Sequence, residues 1–173
     1  MIMKYTYIFL LSLMILLLSS CLKDTPAVDF STVGTIIEII PPDGGGLENF
    51  DAAALNFDVT DPIDSADIDL NIASPKPLSK ALTITLAVDD VLRTSYNAAN
   101  GTAYDALPDS VYSFPVKTGT IDAGQRLDTI RVIFYPSKID TTKNYMLPVS
   151  IKDAQGENIS GNFGSIYFHF DAQ

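Results

Sequence analysis

The sequence predicts an all-β fold, an immunoglobulin-like antiparallel β-sandwich with one short helical insertion. Two observations carry this expectation. From Val33 onward the chain reads as about eight short strands at roughly 8–15-residue spacing, divided by Gly, Pro and Asp turn signals. Only one stretch, Asp89 to Gly101, has helical rather than alternating spacing. A jelly roll or small barrel is the alternative, because strand spacing alone does not separate these architectures.

The elements follow in order. Val33 to Ile40 is a β-branched strand that stops at Pro41-Pro42-Asp43-Gly44-Gly45-Gly46, a strong breaker. Leu55, Phe57 and Val59 alternate with polar neighbours, as do Ile68, Leu70 and Ile72. Leu82, Ile84, Leu86 and Val88 form a clean period-two strand with Thr83 and Thr85 on its other face. In the helix, Asp89 or Asp90 can serve as N-cap, Leu92 and Tyr96 sit four apart, and Asn100-Gly101 is a stop. Strands resume at Val111 to Val116 and Thr118 to Ile121, the latter closed by Asp122-Ala123-Gly124. Ile130, Val132 and Phe134 alternate up to Pro136, and Tyr145 to Ile151 and Ser165 to Phe170 are the last two strands. Asp140 followed by Tyr145 looks like the corner in which a tyrosine hydroxyl bonds back to the preceding loop.

Ahead of these strands lies a segment with the grammar of a secretory signal. Lys4 is the positive n-region, Tyr5 to Leu18 the apolar h-region, and Ser19-Ser20 the small residues before a cleavage point. The apolar run is shorter than the roughly 20 residues a spanning helix needs. Leu18-Ser19-Ser20-Cys21 resembles the lipobox of bacterial lipoproteins, and Cys21 is the only cysteine of the chain. The resemblance implies a signal peptide over residues 1–20 and a lipidated Cys21 with linker over 21–32, and the strand pattern puts one β-sandwich domain over 33–173. Two or three acyl chains on Cys21 would hold the protein on a membrane, each buried methylene contributing about 0.8 kcal/mol. Extended, Leu22 to Thr32 would reach about 35 Å, enough to lift the domain clear of headgroups. Lys23-Asp24 weakly resembles the signal that sends Bacteroidota lipoproteins to the outer face of the outer membrane, so a cell-surface location is expected. The alternative is an uncleaved helical anchor with Cys21 an ordinary thiol.

With Cys21 acylated, no cysteine is left for a disulfide, so the expected fold relies on its core. Removing residues 1–20 from 173 leaves 153, ample for one core. Lys4 is the only charge lost, which leaves 10 basic against 21 acidic residues, a balance of −11. That charge disfavours nucleic acid and anionic lipid as partners.

Several segments then resemble a known family. They are Tyr96-Asn97-Ala98-Ala99-Asn100-Gly101-Thr102-Ala103-Tyr104 with Leu107-Pro108 and Tyr112; Gly119-Thr120-Ile121-Asp122-Ala123-Gly124; Tyr145-Met146-Leu147-Pro148-Val149-Ser150-Ile151; and Gly161-Asn162-Phe163-Gly164-Ser165-Ile166-Tyr167-Phe168. Together they are similar to the domain of unknown function at the front of many Bacteroidota surface lipoproteins, over Val33 to Phe170. The resemblance implies a β-sandwich and a setting in glycan harvesting, where this domain often precedes a glycoside hydrolase or lectin-like module. The chain given stops after one such domain, so chemistry carried by a second module is expected to be absent. The family transfers no catalytic residue.

The side chains themselves offer few enzymatic constellations. His169 is the only histidine and shares a strand face with Tyr167, opposite Ile166, Phe168 and Phe170. No Gly-x-Ser-x-Gly elbow occurs, and the adjacent Asp89 and Asp90 read more simply as a helix cap than as a glycosidase pair. Asp58, Asp61, Asp64, Asp67 and Asp69 form an acidic run from which Asp61, Asp64 and Asp67 are the candidate calcium ligands, although no Asp-x-Asp-x-Asp-Gly loop is present. The default reading of that run is a solvated turn, with no cofactor. Sugar binding needs a flat aromatic and nearby hydrogen-bonding groups. The chain has no Trp, but Tyr96, Asn97, Asn100, Tyr104 and Tyr112 gather near the helix and form the candidate ligand site, with structural packing as the competing role. Asp64-Ser65-Ala66, Asp109-Ser110-Val111, Asp128-Thr129-Ile130 and Asp140-Thr141-Thr142 resemble the Bacteroidota O-glycosylation motif.

These features lead first to a non-enzymatic lipid-anchored cell-envelope protein, a surface glycan-binding or accessory module of a polysaccharide-utilisation system. The alternative is a structural or adhesive module that docks an outer-membrane protein partner through sheet edges or loops. A hydrolase, the third, would need two carboxylates about 5–10 Å apart in a cleft.

Overall fold

Alternating side chains build two sheets in the computed structural model, which describes residues 34–40 and 52–172. The signal segment, Cys21, the linker and the Pro41–Gly46 breaker lie outside the described residues. Among the described residues there are eleven strands and one α-helix: β1 Ile36–Ile40, β2 Ala52–Ala54, β3 Asp64–Ala73, β4 Leu82–Val88, α1 Asp90–Asn100, β5 Asp105–Ala106, β6 Tyr112–Ser113, β7 Thr118–Ile121, β8 Leu127–Phe134, β9 Tyr145–Asp153, β10 Asn158–Ile159 and β11 Ser165–Phe170. One sheet runs β10-β1-β3-β8-β6 and the other β2-β11-β9-β4-β7, with β5 added alongside β9. Most pairings are antiparallel; β10 on β1, β2 on β11 and β5 on β9 are parallel. The fold is the expected antiparallel sandwich with one helical insertion, rather than a closed barrel.

Period two decides what lies between the sheets. Ile68, Leu70 and Ile72 of β3 face inward, meeting Ile84 and Leu86 of β4 and Phe168 of β11 in one core. Each such side chain, taken from water to burial, contributes about 1.5–3 kcal/mol. Phe134 is the aromatic hub, fully buried, with its ring 5.0 Å from Phe57 and 5.8 Å from Phe168. Where β7 crosses toward β8, the sheets approach through Gly119. A Cβ there would stand 2.7 Å from Leu70 Cδ1 and 2.8 Å from Asp128 Oδ2. The vacancy lets the Asp128 carboxylate accept the Thr120 amide at 2.7 Å, occupying a donor on the edge strand.

Three local expectations change. Leu55 and Phe57 pack into or against the core but not from a strand, because β2 ends at Ala54. Asp58 accepts from both the amide (2.8 Å) and hydroxyl (2.7 Å) of Thr60, and Asp61 N–H bonds Asp58 O, so the backbone turns instead of extending. The Val111–Val116 strand shrinks to Tyr112–Ser113, because residues 109–111 close a 3-10 turn. The tyrosine corner is not formed: Asp140 accepts from Thr142 N–H (3.0 Å) and Oγ1 (2.7 Å), and Tyr145 makes no such bond among the described residues.

The helix is an excursion from one strand. β4 pairs β9 from Asp153 back to Val149, and Asp89 N–H still bonds Pro148 O at 3.0 Å. The chain then leaves as α1 and returns as β5, which pairs Tyr145 and Met146 of the same strand, with Leu107 N–H on Met146 O at 3.1 Å. Asp89 occupies the cap position but makes no side-chain cap bond; its carboxylate is taken by Lys152 Nζ. Gly101 ends the helix as expected, at φ 66°.

Candidate functional site

The face of β11 opposite Phe168 carries Tyr167 and His169, and the α1 excursion lies on it. Helical spacing of three and four puts Arg93, Tyr96, Asn97 and Asn100 on one side of α1. The Tyr96 ring packs on Tyr167, centroids 5.1 Å apart, and meets the Tyr104 ring edge-on at 6.2 Å. Tyr104 in turn stands edge-on to His169 at 5.6 Å. Its hydroxyl donates to Asp171 Oδ1 at 2.9 Å and lies 3.4 Å from His169 Nδ1, which is 3.3 Å from Asp171 Oδ2. Burial, helped by the Asp171 carboxylate, pushes the Tyr104 hydroxyl up to about 12. A phenol so held is a fixed hydrogen-bond donor at neutral pH, not a base or nucleophile.

Asn97 works as a clamp on the chain leaving the helix. Its Nδ2 donates to Tyr104 O (2.9 Å), and its Oδ1 accepts from Tyr104 N–H (3.0 Å) and Thr102 Oγ1 (2.8 Å). Arg93 adds a second donor to Tyr104 O at 2.8 Å, while its fork grips both oxygens of Asp90 at 2.6 and 2.8 Å. The Arg93 bond holds Asp90 below the usual carboxylate range. Asp89 and Asp90, adjacent in sequence, are thus drawn to separate cationic partners.

Of the five candidate ligand residues, the structure brings Tyr96, Asn97 and Tyr104 together. Asn100 is on the same helix, with Nδ2 spent on Tyr96 O at 3.0 Å. Tyr112 is in the other sheet, where its hydroxyl donates to Asp109 at 3.0 Å and is pushed up to about 12 by burial and then by Asp109. Tyr167, only 8% exposed, offers no open ring face, and the cluster's polar atoms are largely committed to one another. Its geometry fits pinning the excursion to the sheet. Sequence reading had Tyr167 and His169 on one face but missed Arg93 and Asp171; the spacing Arg93, Tyr96, Asn97 was the signal for the first.

The three candidate calcium ligands do not converge. Asp64 and Asp67 are three apart on β3 and so point to opposite faces of the sheet. Asp67 pairs with Arg131 at 2.7 and 2.9 Å, which lowers its carboxyl pKa, and Asp61 sits in the turn before the strand. Among the described residues no group of three or more His, Cys, Asp or Glu could hold a metal ion.

This is a two-sheet sandwich whose distinguishing element is a helix pinned between two strands that share one neighbour. Residues 42–158 match a family model described as "-like, N-terminal domain", and the chain belongs to that family. No curated protein matches the sequence. Among solved structures, the chain is similar to a candidate carbohydrate-binding protein of Bacteroides ovatus, with 18% identity and TM-score 0.61 over 70% of this chain and 35% of that one. A multidomain B. ovatus protein that includes DUF1735 matches at 17% identity and TM-score 0.63, over 78% of this chain and 44% of the other. EndoBT-3987 of Bacteroides thetaiotamicron, solved with a Man5GlcNAc product, matches at 16% and TM-score 0.50, over 70% and 28%. At these identities the likeness is one of fold. The chain spans less than half the length of each of these neighbours. The expected Bacteroidota kinship of the domain holds.

Proposed function

We propose that the chain is a non-enzymatic, lipid-anchored cell-envelope protein, serving as a surface glycan-binding or accessory module of a polysaccharide-utilisation system. The observation that carries the reading is its fold likeness, over 70% of its length, to a candidate carbohydrate-binding protein of B. ovatus. The likeness to EndoBT-3987 supports the same glycan setting. The lipobox-like tetrad ending at Cys21 supports the anchor and an outer-membrane, cell-surface location. In this reading the α1 cluster supports the binding surface rather than forming it.

The test is retention of the full chain, in mild detergent, on a broad panel of immobilised polysaccharides with calcium supplied. Binding to at least one polysaccharide is expected, and uniform failure refutes the glycan-binding version. Cys21→Ser should move the protein from the membrane to the soluble fraction; unchanged membrane association refutes the anchor. A protein-docking module is the second reading, favoured by Val91 and Leu127, which are 73% and 60% exposed. It predicts co-purification with an outer-membrane protein and no sugar affinity.

A further inference from the structure

At the end of the sandwich away from α1, the β3–β4 connection and the turn after β9 flank an open pocket of about 280 Å³ lined by Leu78, Ser79, Lys80, Ala81, Leu82, Gln155 and Glu157. Its walls are set in place by hydrogen bonds to backbone carbonyls. Gly124 N–H holds Leu78 O at 2.9 Å, and Arg126 Nη1 holds Ser74 O at 2.7 Å. Glu157 N–H closes the opposite turn on Ala154 O at 3.1 Å.

Gln155 is the feature that sets this pocket apart. At φ 52° it is the only non-glycine residue at positive φ among the described residues, and Gly156 follows at 89°. Asn-Gly or Gly-Gly makes such a turn without strain, whereas a residue with a longer side chain gives up about 1–2 kcal/mol. Part of the reason for Gln is visible. Its Oε1 accepts the Thr83 amide at 3.0 Å, where β4 has lost its β9 partner. One such bond contributes about 1 kcal/mol net, so it only cancels the strain. That bond also fixes the amide, leaving both Nε2 hydrogens without a partner among the described residues.

Two more groups at the pocket are uncommitted. Neither Lys80 nor Glu157 has an ion-pair partner among the described residues. The pocket therefore presents donors from Lys80 and Gln155, an acceptor pair from Glu157, and an apolar floor from Leu78 and Leu82. The two charges cancel, which disfavours an ion of either sign. A sugar hydroxyl both donates and accepts, so neighbouring hydroxyls can satisfy an ammonium and a carboxylate together through charge-assisted bonds. The volume is just under the roughly 300–1,000 Å³ of drug-sized sites, which suits one ring rather than an extended chain.

We propose that Lys80, Gln155 and Glu157 form a recognition site for a single neutral sugar ring, seated over Leu78 and Leu82. The choice of ligand class rests on the glycan reading above; the existence of a site does not.

The test is a titration of the ¹⁵N-labelled full chain in detergent micelles with neutral methyl hexosides and N-acetylhexosamines, and separately with glucuronate and glycine. Saturating shifts of the Thr83 and Gly156 amides are expected with at least one neutral sugar. Gln155→Gly should weaken that binding at least tenfold with the fold intact, since glycine takes the positive φ freely. Glu157→Gln and Lys80→Met should each weaken it as well. Silence at Thr83 and Gly156 toward every neutral sugar overturns the proposal. So does a response to glycine or glucuronate alone, or full binding by Gln155→Gly. Polysaccharide retention without shifts at this pocket sinks the site and leaves the glycan reading standing. Shifts without retention support the site and remove the polysaccharide reading.

Discussion

Replacing Asn97 by Ala separates a structural from a ligand-contacting role for the α1 cluster. The substitution deletes three hydrogen bonds, but they are not equal. Tyr104 O keeps Arg93 as donor, so losing Asn97 Nδ2 costs little there. Thr102 Oγ1 is exposed and turns to water. Tyr104 N–H is part-buried and loses its acceptor, which accounts for most of the effect at about 1–2 kcal/mol. The sum is about 1–2 kcal/mol, or roughly a 5- to 30-fold rise in the opening equilibrium of residues 101–106. Native-state hydrogen exchange at the Thr102 and Tyr104 amides reads it directly, with urea unfolding as the global check. Asn100→Ala, which removes one exposed bond to Tyr96 O, is the control and should cost only a few tenths of a kcal/mol. If Asn97→Ala leaves exchange unchanged but abolishes glycan retention, the clamp reasoning is wrong and Asn97 contacts ligand.

Gly119→Ala should cost about 1–3 kcal/mol by urea unfolding, because its Cβ has Leu70, Asp128 and Ile130 in its way; a neutral result would mean β7 moves freely. Phe134→Ala should cost about 3–5 kcal/mol in the same assay, given its full burial between Phe57 and Phe168. Hydrogen bonds lower the pKa values of Asp58, Asp67, Asp90 and Asp140, so they contribute stability above the unfolded carboxylate value, near 4, and lose it as pH falls through their lower folded values. Melting temperature followed from pH 5 to 2 should therefore fall, and a flat profile would contradict the assigned bonds. Tyr104 and Tyr112 are raised from 10 to about 12, so their contribution is complete below pH 10 and lost as pH rises through 12. Tyrosinate absorbance should show late ionisation at these two side chains, with Tyr104→Phe and Tyr112→Phe each removing one late-ionising group.

Strands whose side chains alternate strictly were legible in the sequence. Because burial on one face forces the pattern, β4 and β11 sit where Leu82–Val88 and Ser165–Phe170 placed them, and β8 contains Ile130–Phe134 but begins earlier, at Leu127. β2 could not be read from Ala52-Ala53-Ala54, whose weak strand preference is supplied by pairing with β11. β5 and β10, at two residues each, are too short to show a period. Leu55 to Val59 showed the right period but not a strand, since Asp58 and Thr60 close a turn that alternation does not report. The helix and its stop were legible, as was the gathering of Tyr96, Asn97 and Tyr104. The closing partners were not. Asp171 reaches Tyr104 across 67 residues, and Gln155 reaches Thr83 across 72. Such pairings arise from topology, which local spacing does not encode.

The handover of β9 from β4 to β5 means that the α1 segment begins and ends on one strand, its anchors on Pro148 and Met146 only two residues apart. A segment with both ends fixed so close together can change length with little effect on the pairing around it, since closing a longer loop costs only about 0.6 kcal/mol per doubling. The sandwich thus carries a slot for variation. Residues 90 to 104 could be lengthened, shortened or exchanged between proteins of this fold while both sheets keep their register, which makes this the natural place to graft a new surface onto the domain.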